Sequence, residues 1–440
     1  MNQMPMFDVA VVGGGLAGLT SALIAGRAGR SVLLFEKGPH EGGRATTQKV
    51  DGFYFNQGPH ALYRGGEGIP ILRELAISYE GAQASYEGSW VLRGSENFPM
   101  PGSPEKLRET ALFTPEERIE ALAVYGGLFH WSPTPEWDRR SLREWLNTQI
   151  KHPAVRQYFE GVFRLSTYCH DPERQSAGAA LTQLVIGLQG VDYLDGGWQT
   201  LVDRVRDAAR AAGVRIETRS EVKGIRCDED HTIIQLANDQ SCEARTAIVT
   251  ANPAATARMV NDGKVSSLNQ WAGAAVPIHA ACLDVALHRL PSPEYQFAIG
   301  LDRPLYYSVH TRSARLAPEG GTVIQLAKYL SSSSNEKAED LRAELEALLD
   351  RLQPSWQSEL VTKRFLPRML VSNSIVTAEQ GGNAGRPGPA VPEFSNLFIA
   401  GDWVGPHGML VDASLASARA AAGLAIQSVD ALKSDLAGVS

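Results

Sequence analysis

"FDVAVVGGGLAGLTSALIAGRAGRSVLLFE" runs from Phe7 to Glu36, and its reading decides the fold. Phe7–Val12 is a short apolar run ending in three glycines, the pattern of a strand buried on both faces. Leu16, Leu19, Leu23 and Ile24 then recur at helical spacing, and Gly29 is placed to close that helix. "SVLLFE" is a second buried strand, so about thirty residues hold a βαβ unit. Gly13, Gly15 and Gly18 stand as G-x-G-x-x-G between the first strand and the helix. The first glycine permits a tight turn, the second lets backbone approach a pyrophosphate, and the third lets helix and strand pack closely. The helix start, at Leu16 and Ala17, offers free N–H groups and a positive dipole end to phosphate. Glu36 ends the second strand, where a carboxylate can accept ribose hydroxyls. A glycine-rich turn that binds nothing is the alternative; strand, helix and acid together stand against it. The unit alone does not separate NAD from FAD.

Bulk properties narrow the classes. The 440 residues favour two or three domains. Hydrophobic content of 43% and charged content of 21% are those of a soluble globular chain with a large core. A net charge of -7 argues against nucleic acid as partner. Cys169, Cys227, Cys242 and Cys282 form no C-x-x-C and lie beside no histidine at zinc-ligand spacing, so free thiols and no metal are expected. The first residues lack a signal peptide's charged region and cleavage site, and no run of about 18 apolar residues exists. The expected location is cytoplasmic.

The α/β pattern appears three times, with other material between. Residues 69–189 read as mostly helical; Thr114, Pro115 and Glu117 form a helix start with a capping box. "GGWQTLVDRVRDAARAAG" is a helix, followed by strand material, a hairpin ending in "TIIQLAND", and the buried strand "TAIVTANP". Residues 254–384 read as mixed strands with the charged helix "NEKAEDLRAELEALLDRL". "NLFIAGDWVGPHGMLVDASLASARAAA" closes the chain as strand, Gly-Asp turn, loop and alanine-rich helix. The fold class is α/β: a discontinuous Rossmann-like domain of residues 1–68, 190–253 and 385–440. An inserted α+β substrate domain consists of the helical insert 69–189 and the mixed sheet 254–384.

"EKGPHEGGRATT" places Gly42-Gly43-Arg44 just beyond Glu36 and Lys37, allowing close backbone approach and a fixed cation near phosphate. "FYFNQGPHALY" adds Gly58, Pro59 and His60. With these motifs the sequence resembles the flavin-containing amine oxidase superfamily, in its phytoene-desaturase-like and protoporphyrinogen-oxidase-like branch. Three blocks carry the resemblance: residues 11–47, "DGGWQTLVDRVRDAARAAGVRIETRSEVKGI", and the closing fragment. It implies FAD as cofactor. Glu36, with Lys37 beside it, would bind the adenosine ribose, and Gly43 and Arg44 would lie near flavin and phosphates. The Val222 backbone would meet adenine. Gly401 and Asp402 would contact the ribityl–pyrophosphate arm, and Met409, Leu410 and Val411 would pass under the flavin's pyrimidine edge. The helix from about Asp412 would point its positive end at flavin N1 and O2.

The sequence departs from that pattern in three places. Asn56 stands where many relatives carry Asp, which weakens one polar contact. No cysteine lies near the closing motif, so the flavin is expected to be non-covalent. "VGPHGML" lacks the aromatic pair that cages an amine, which makes amine oxidation the less favoured chemistry. Hydride transfer to a flavin needs position above all, so catalytic side chains stay unassigned. His407 in the closing loop, Lys328 in "TVIQLAKYL" and Tyr307 in "PLYYSVHTR" are candidate substrate-facing residues; structural roles are the alternative for each. Trp90, Trp131, Trp137 and Trp145 make the insert aromatic, as core or as the wall of a cavity for a small hydrophobic substrate. The expectation is an FAD-dependent oxidoreductase moving hydride from an apolar or partly apolar substrate. The rivals are a redox-neutral flavin-dependent isomerase, an amine oxidase, and a non-catalytic lipid- or prenyl-binding protein. Peripheral membrane contact through the insert is a further expectation; oligomeric state is not legible.

Overall fold

The computed structural model describes residues 6–437. The parts of the leader and domain readings that touch residues 1–5 and 438–440 lie outside the described residues. Phe7–Val12 pairs in parallel with Val32–Phe35 on one side and with Ser241–Val249 on the other. Arg215–Glu217 extends the first edge, again in parallel. Ser241–Val249 pairs in parallel with Leu397–Ile399 and antiparallel with Thr232–Leu236, which forms a hairpin with Val222–Cys227. This seven-stranded sheet therefore draws strands from the beginning, middle and end of the chain.

Small residues set the packing on one face. Helix Leu16–Arg27 lies against both the closing helix Leu410–Ala437 and helix Gln199–Ala211. The closing helix buries Ala418, Ala421, Ala422 and Ala425 in the shared core. Backbones without bulky side chains between them approach closely, which suits a sheet–helix layer of this kind. The opposite face is closed by Leu268, Val265, Ala257 and Trp403 over Ala10, Leu33 and Ala247.

A second seven-stranded sheet runs Leu360–Ser372, Ile278–Leu287, Thr322–Leu330, Leu305–Val309, Phe297–Gly300, Ser89–Arg93, Glu96–Pro99. Its last two strands come from the stretch read as mostly helical. They form a hairpin about Gly94, whose φ of +56° suits glycine, and Ser89–Arg93 adds in parallel to Phe297–Gly300. Two strands this short carry too few alternations to be seen by periodicity alone. The remainder of the insert is helical, and Thr114 and Glu117 make both arms of the capping box. Its aromatic side chains mostly build a core, with Trp145, Tyr158, Phe159 and Phe163 buried together. The charged helix, Ala338–Leu352, covers the other side of the second sheet with Leu341, Leu345, Leu348, Leu349 and Leu352. Among the described residues no helix is long and apolar enough to cross a membrane.

Candidate active site

The parallel strands deliver their carboxyl ends to a cleft of about 730 Å³, the location where open α/β sheets hold ligands. Its floor is backbone. Gly13 has φ +107°, and a side chain there would collide with the Thr250 hydroxyl. A Cβ on Gly18 would run into the carbonyl oxygen of Gly13, so this glycine lets the helix press against the turn. At Gly15 a Cβ would have only the Gly42 oxygen for a neighbour, 3.9 Å away, which leaves that backbone open on its cleft side. Leu16 and Ala17 occupy the first turn, where N–H groups have no intrahelical acceptor.

Glu36 is held from two directions. Gly14 N–H donates to Oε2 at 2.7 Å and Gly38 N–H to Oε1 at 2.7 Å. Each carboxylate oxygen keeps a second lone pair, so the fixed group can still accept from a ligand hydroxyl. Gly42 N–H donates to the Gly14 oxygen at 2.8 Å, and Gly43, at φ +55°, turns the chain so that Arg44 meets the cleft wall. Arg44 Nη1 donates to Asp402 Oδ2 at 2.7 Å and to the Val371 oxygen at 2.8 Å. Asp402 also accepts from the Asn373 backbone N–H at 3.0 Å and from its Nδ2 at 2.7 Å. Burial pushes the Asp402 carboxyl up, but the Arg44 charge and these hydrogen bonds outweigh it and hold it below the usual range. Asp402 thus ties three separated stretches together at the cleft wall.

The structure brings most of the sequence candidates together. Gly13, Gly15, Leu16, Ala17, Glu36, Lys37, Gly43, Arg44, Pro59, His60, Val222, Gly401, Asp402, Leu410 and Val411 all line the cleft. Three candidates lie behind it. Gly18 supports the turn from below. Gly58, at φ +72°, sits where a Cβ would come within 2.9 Å of Cys282 Sγ, and Met409 is buried among Ala179, Val376 and Leu410. His60 Nδ1 lies 3.0 Å from the Gly58 oxygen and its ring 5.2 Å from that of Trp198; burial lowers its pKa. Asn56 does not reach the cleft. Its Oδ1 accepts from Thr47 Oγ1 at 2.7 Å and from Trp198 N–H at 3.0 Å, two bonds that an amide oxygen serves as well as a carboxylate does.

A second, narrower cavity of about 240 Å³ meets the cleft at Ala61 and Tyr168. Tyr63, Tyr86, Tyr125, Tyr158, Tyr193 and Tyr306 line it with Phe159, Phe297 and aliphatic residues. Tyr168 ends helix Pro153–Thr167 in a left-handed conformation, φ 57°, which is uncommon for an aromatic residue and typical of functional positions. Nothing in "STYCHDP" marks it beyond a helix about to stop before Pro172.

The three substrate-facing candidates lie outside the lining of both cavities. Tyr307 alternates with its neighbours on strand Leu305–Val309: Tyr306 and Ser308 face the cavity and Tyr307 faces the opposite way. Its hydroxyl donates to the Tyr295 oxygen at 3.1 Å and accepts from Gln353 Nε2 at 2.9 Å. Lys328 lines neither cavity; its ammonium donates to Glu336 and, at 2.7 Å, to Glu344 Oε2. His407 is exposed and lines neither cavity. Sequence reading overlooked Asp412 as a titrating group. This buried residue opens the closing helix, its Oδ1 accepts from Gly68 N–H at 2.7 Å, Oδ2 has no hydrogen-bond partner among the described residues, and burial raises its pKa to about 7.

Residues 16–426 match the family model described as flavin containing amine oxidoreductase. The chain belongs to this family. Among its curated relatives is the carotenoid 3,4-desaturase of Haloarcula japonica, 25% identical over 298 residues that cover 57% of each chain. The 4,4'-diapolycopen-4-al dehydrogenase of Metabacillus indicus is 21% identical over 464 residues, covering 91% of this chain and 93% of the relative. The chain thus spans little more than half the length of the first relative and nearly all of the second. Two solved structures share the fold of this flavin family member. An oxidoreductase from Methanosarcina mazei has a TM-score of 0.74 at 20% identity, covering 94% of this chain and 99% of the other. A putative protoporphyrinogen oxidase from Exiguobacterium sp. 255-15 has a TM-score of 0.71 at 16% identity, covering 98% and 100%.

Proposed function

We infer that the chain is an FAD-dependent oxidoreductase that removes a hydride to the flavin and a proton to solvent from an apolar or partly apolar substrate, leaving C=C or C=N. The observation that carries this reading is the aromatic cavity opening at Ala61 and Tyr168 into a cleft with a glycine-built floor. The residues present fit the cofactor: the turn Gly13–Ala17 suits a pyrophosphate, Glu36 a ribose, and the Val222 backbone an adenine. The Arg44–Asp402 pair and the start of helix Leu410–Ala437 would border the ribityl arm and the flavin ring. Bound there, FAD supplies a two-electron, hydride-accepting ring. No cysteine is among the described cleft-lining residues, which supports non-covalent binding.

The chain's own contribution is placement. Tyr168 stands where cleft and cavity join, so the substrate must pass it to reach the cofactor, and the aromatic walls exclude water from the reacting carbon. The names of the Haloarcula and Metabacillus relatives, a carotenoid desaturase and a dehydrogenase of a carotenoid aldehyde, support a lipophilic substrate. Exposed Tyr86 on the cavity wall, and exposed Phe129 packed edge-on against the wall residue Tyr125, support peripheral contact with a lipid surface. The test is direct. Purified protein should carry, or take up, flavin that acid precipitation releases, and anaerobic addition of a lipophilic substrate should bleach it. Protein that neither carries flavin nor binds added FAD would sink the reading.

A further inference from the structure

The wall of the narrower cavity is not uniformly apolar. Tyr193, Tyr306 and Ser308 bring three hydroxyls together on it. They are poorly matched to one another. Tyr193 Oη is 3.5 Å from Tyr306 Oη and 3.4 Å from Ser308 Oγ, well beyond the roughly 2.7–2.8 Å usual for O–H···O. Tyr306 Oη lies 3.2 Å from His310 Nε2, and the His310 ring stacks on Tyr193 with centroids 3.9 Å apart. Three hydroxyls offer three donors and six acceptor lone pairs, so the cluster keeps unused capacity in a buried place where an unmatched hydroxyl is unfavourable.

The cluster carries no charge. Burial drives His310 down to about 3, leaving a neutral imidazole, and the tyrosines are pushed up by burial. Arg312 is the one charged side chain among the described lining residues, and it is turned to Glu87 at 2.8 Å in an exposed pair. A carboxylate or ammonium ligand would find no counter-ion at the hydroxyls, and its desolvation would go uncompensated. A pure hydrocarbon would leave the hydroxyls only their long contacts with one another and with His310 Nε2. We propose that the substrate of this cavity is a lipophile bearing an uncharged oxygen function, hydroxyl or carbonyl, held by Tyr193, Tyr306 and Ser308. The inference rests on the reading of this cavity as the substrate's, and it narrows that reading to one chemical class.

The test uses the flavin-loaded full chain with decan-1-ol, decanal, decane and decanoate as probes, binding being read from the perturbation of tyrosine and tryptophan fluorescence. The quantity of interest is the ratio of decan-1-ol to decane affinity. Tyr306→Phe combined with Ser308→Ala should lower that ratio about tenfold, the loss of one to two hydrogen bonds. Tyr193→Phe alone, which keeps the ring on His310, should move it in the same direction. Tyr307→Phe, one residue away but facing the other side of the sheet, should leave it unchanged. A ratio unmoved by the cavity substitutions, or decanoate bound more tightly than decan-1-ol, would overturn the proposal. Failure of every probe to bind would instead sink the assignment of the cavity to substrate, and flavin absorption reports on the cofactor reading separately.

Discussion

The cleft at the strand ends has a glycine turn at one end of its wall and fixed charges at Glu36, Arg44 and Asp402, whereas the cavity beside it is walled by seven tyrosines drawn from distant parts of the chain. The two meet at Ala61 and Tyr168, yet they respond to substitution by different rules. At the glycine turn of the cleft the groups that face a ligand are N–H bonds, so what matters at Gly13, Gly15 and Gly18 is the absence of a side chain. In the cavity the ligand-facing groups are the side chains themselves. A substitution in the first acts through the backbone and should be all-or-none. A substitution in the second should tune affinity and leave the fold alone.

Gly18→Val is the strongest attempt to break that contrast. Even one carbon at position 18 collides with the Gly13 carbonyl, which is backbone and has nowhere to go. The helix must move away from the turn, and the free N–H groups of its first turn with it. We expect purified Gly18→Val protein to lack flavin and to lose about 1–3 kcal/mol or more in urea unfolding. Tyr306→Phe, by contrast, should retain full flavin absorption. A valine variant with normal flavin content would show that the floor is not rigid.

Arg44→Ala tests whether the charges in the cleft wall behave like the backbone or like the cavity. Removing Arg44 leaves the Asp402 carboxylate, 3% exposed, with hydrogen bonds from Asn373 and the charge of Arg386 nearby. The Arg44 side chain is 38% exposed, so breaking this half-buried pair on its exposed side is expected to cost about 1–2 kcal/mol, less than a fully buried pair. Urea titrations of the flavin-free protein separate this from any effect on cofactor binding. A loss below about 0.5 kcal/mol would mean that Asp402 is satisfied without the arginine.

The same contrast explains what was legible in the sequence. A backbone site is written as spacing: glycines at 13, 15 and 18, an acid at 36, a Gly-Asp pair after the last strand. Fifteen of the eighteen cofactor candidates line the cleft for that reason. The three that do not are glycines or a methionine whose role is to let neighbours pack. The cavity has no such spelling. Tyr63, Tyr158, Tyr193 and Tyr306 converge only after strand and helix pairing, and strand phase decides which of Tyr306 and Tyr307 faces inward. Lys328 resembled a cavity residue until Glu336 and Glu344 supplied it with partners from outside its strand. The hairpin at Gly94 was hidden by the helical signal around it.

Asp412 sharpens the comparison from the closing helix. Its carboxyl is raised to about 7 by burial, so between the unfolded value near 4 and pH 7 the folded protein holds a proton that the unfolded chain releases. Stability from this group is therefore full below about pH 4 and is lost as pH rises through about 7. Asp284, raised to about 6 by burial against the opposing pull of Arg364, acts in the same direction. Asp412→Asn keeps an acceptor for Gly68 N–H and removes the ionisation. We expect it to gain about 2 kcal/mol over the parent at pH 8 and little at pH 4.5, with a residual slope from Asp284. Equal gains at both pH values would refute titration as the cause.

His407→Ala should have the smallest effect. The histidine lies in the loop between Asp402 and the closing helix, close in sequence to residues that line the cleft, yet it is exposed and no hydrogen bond to it is seen among the described residues. Nearby Gly408, not His407, fixes the loop by accepting from Arg386 Nη2 at 2.8 Å. An exposed side chain with no fixed partner contributes within about 0.5 kcal/mol. Flavin content, urea midpoint and the rate of flavin bleaching by a lipophilic substrate should all match the parent. A slower bleaching with unchanged stability would place His407 over the substrate during turnover, and the loop, rather than the tyrosine wall alone, would then share in selecting what reaches the cleft.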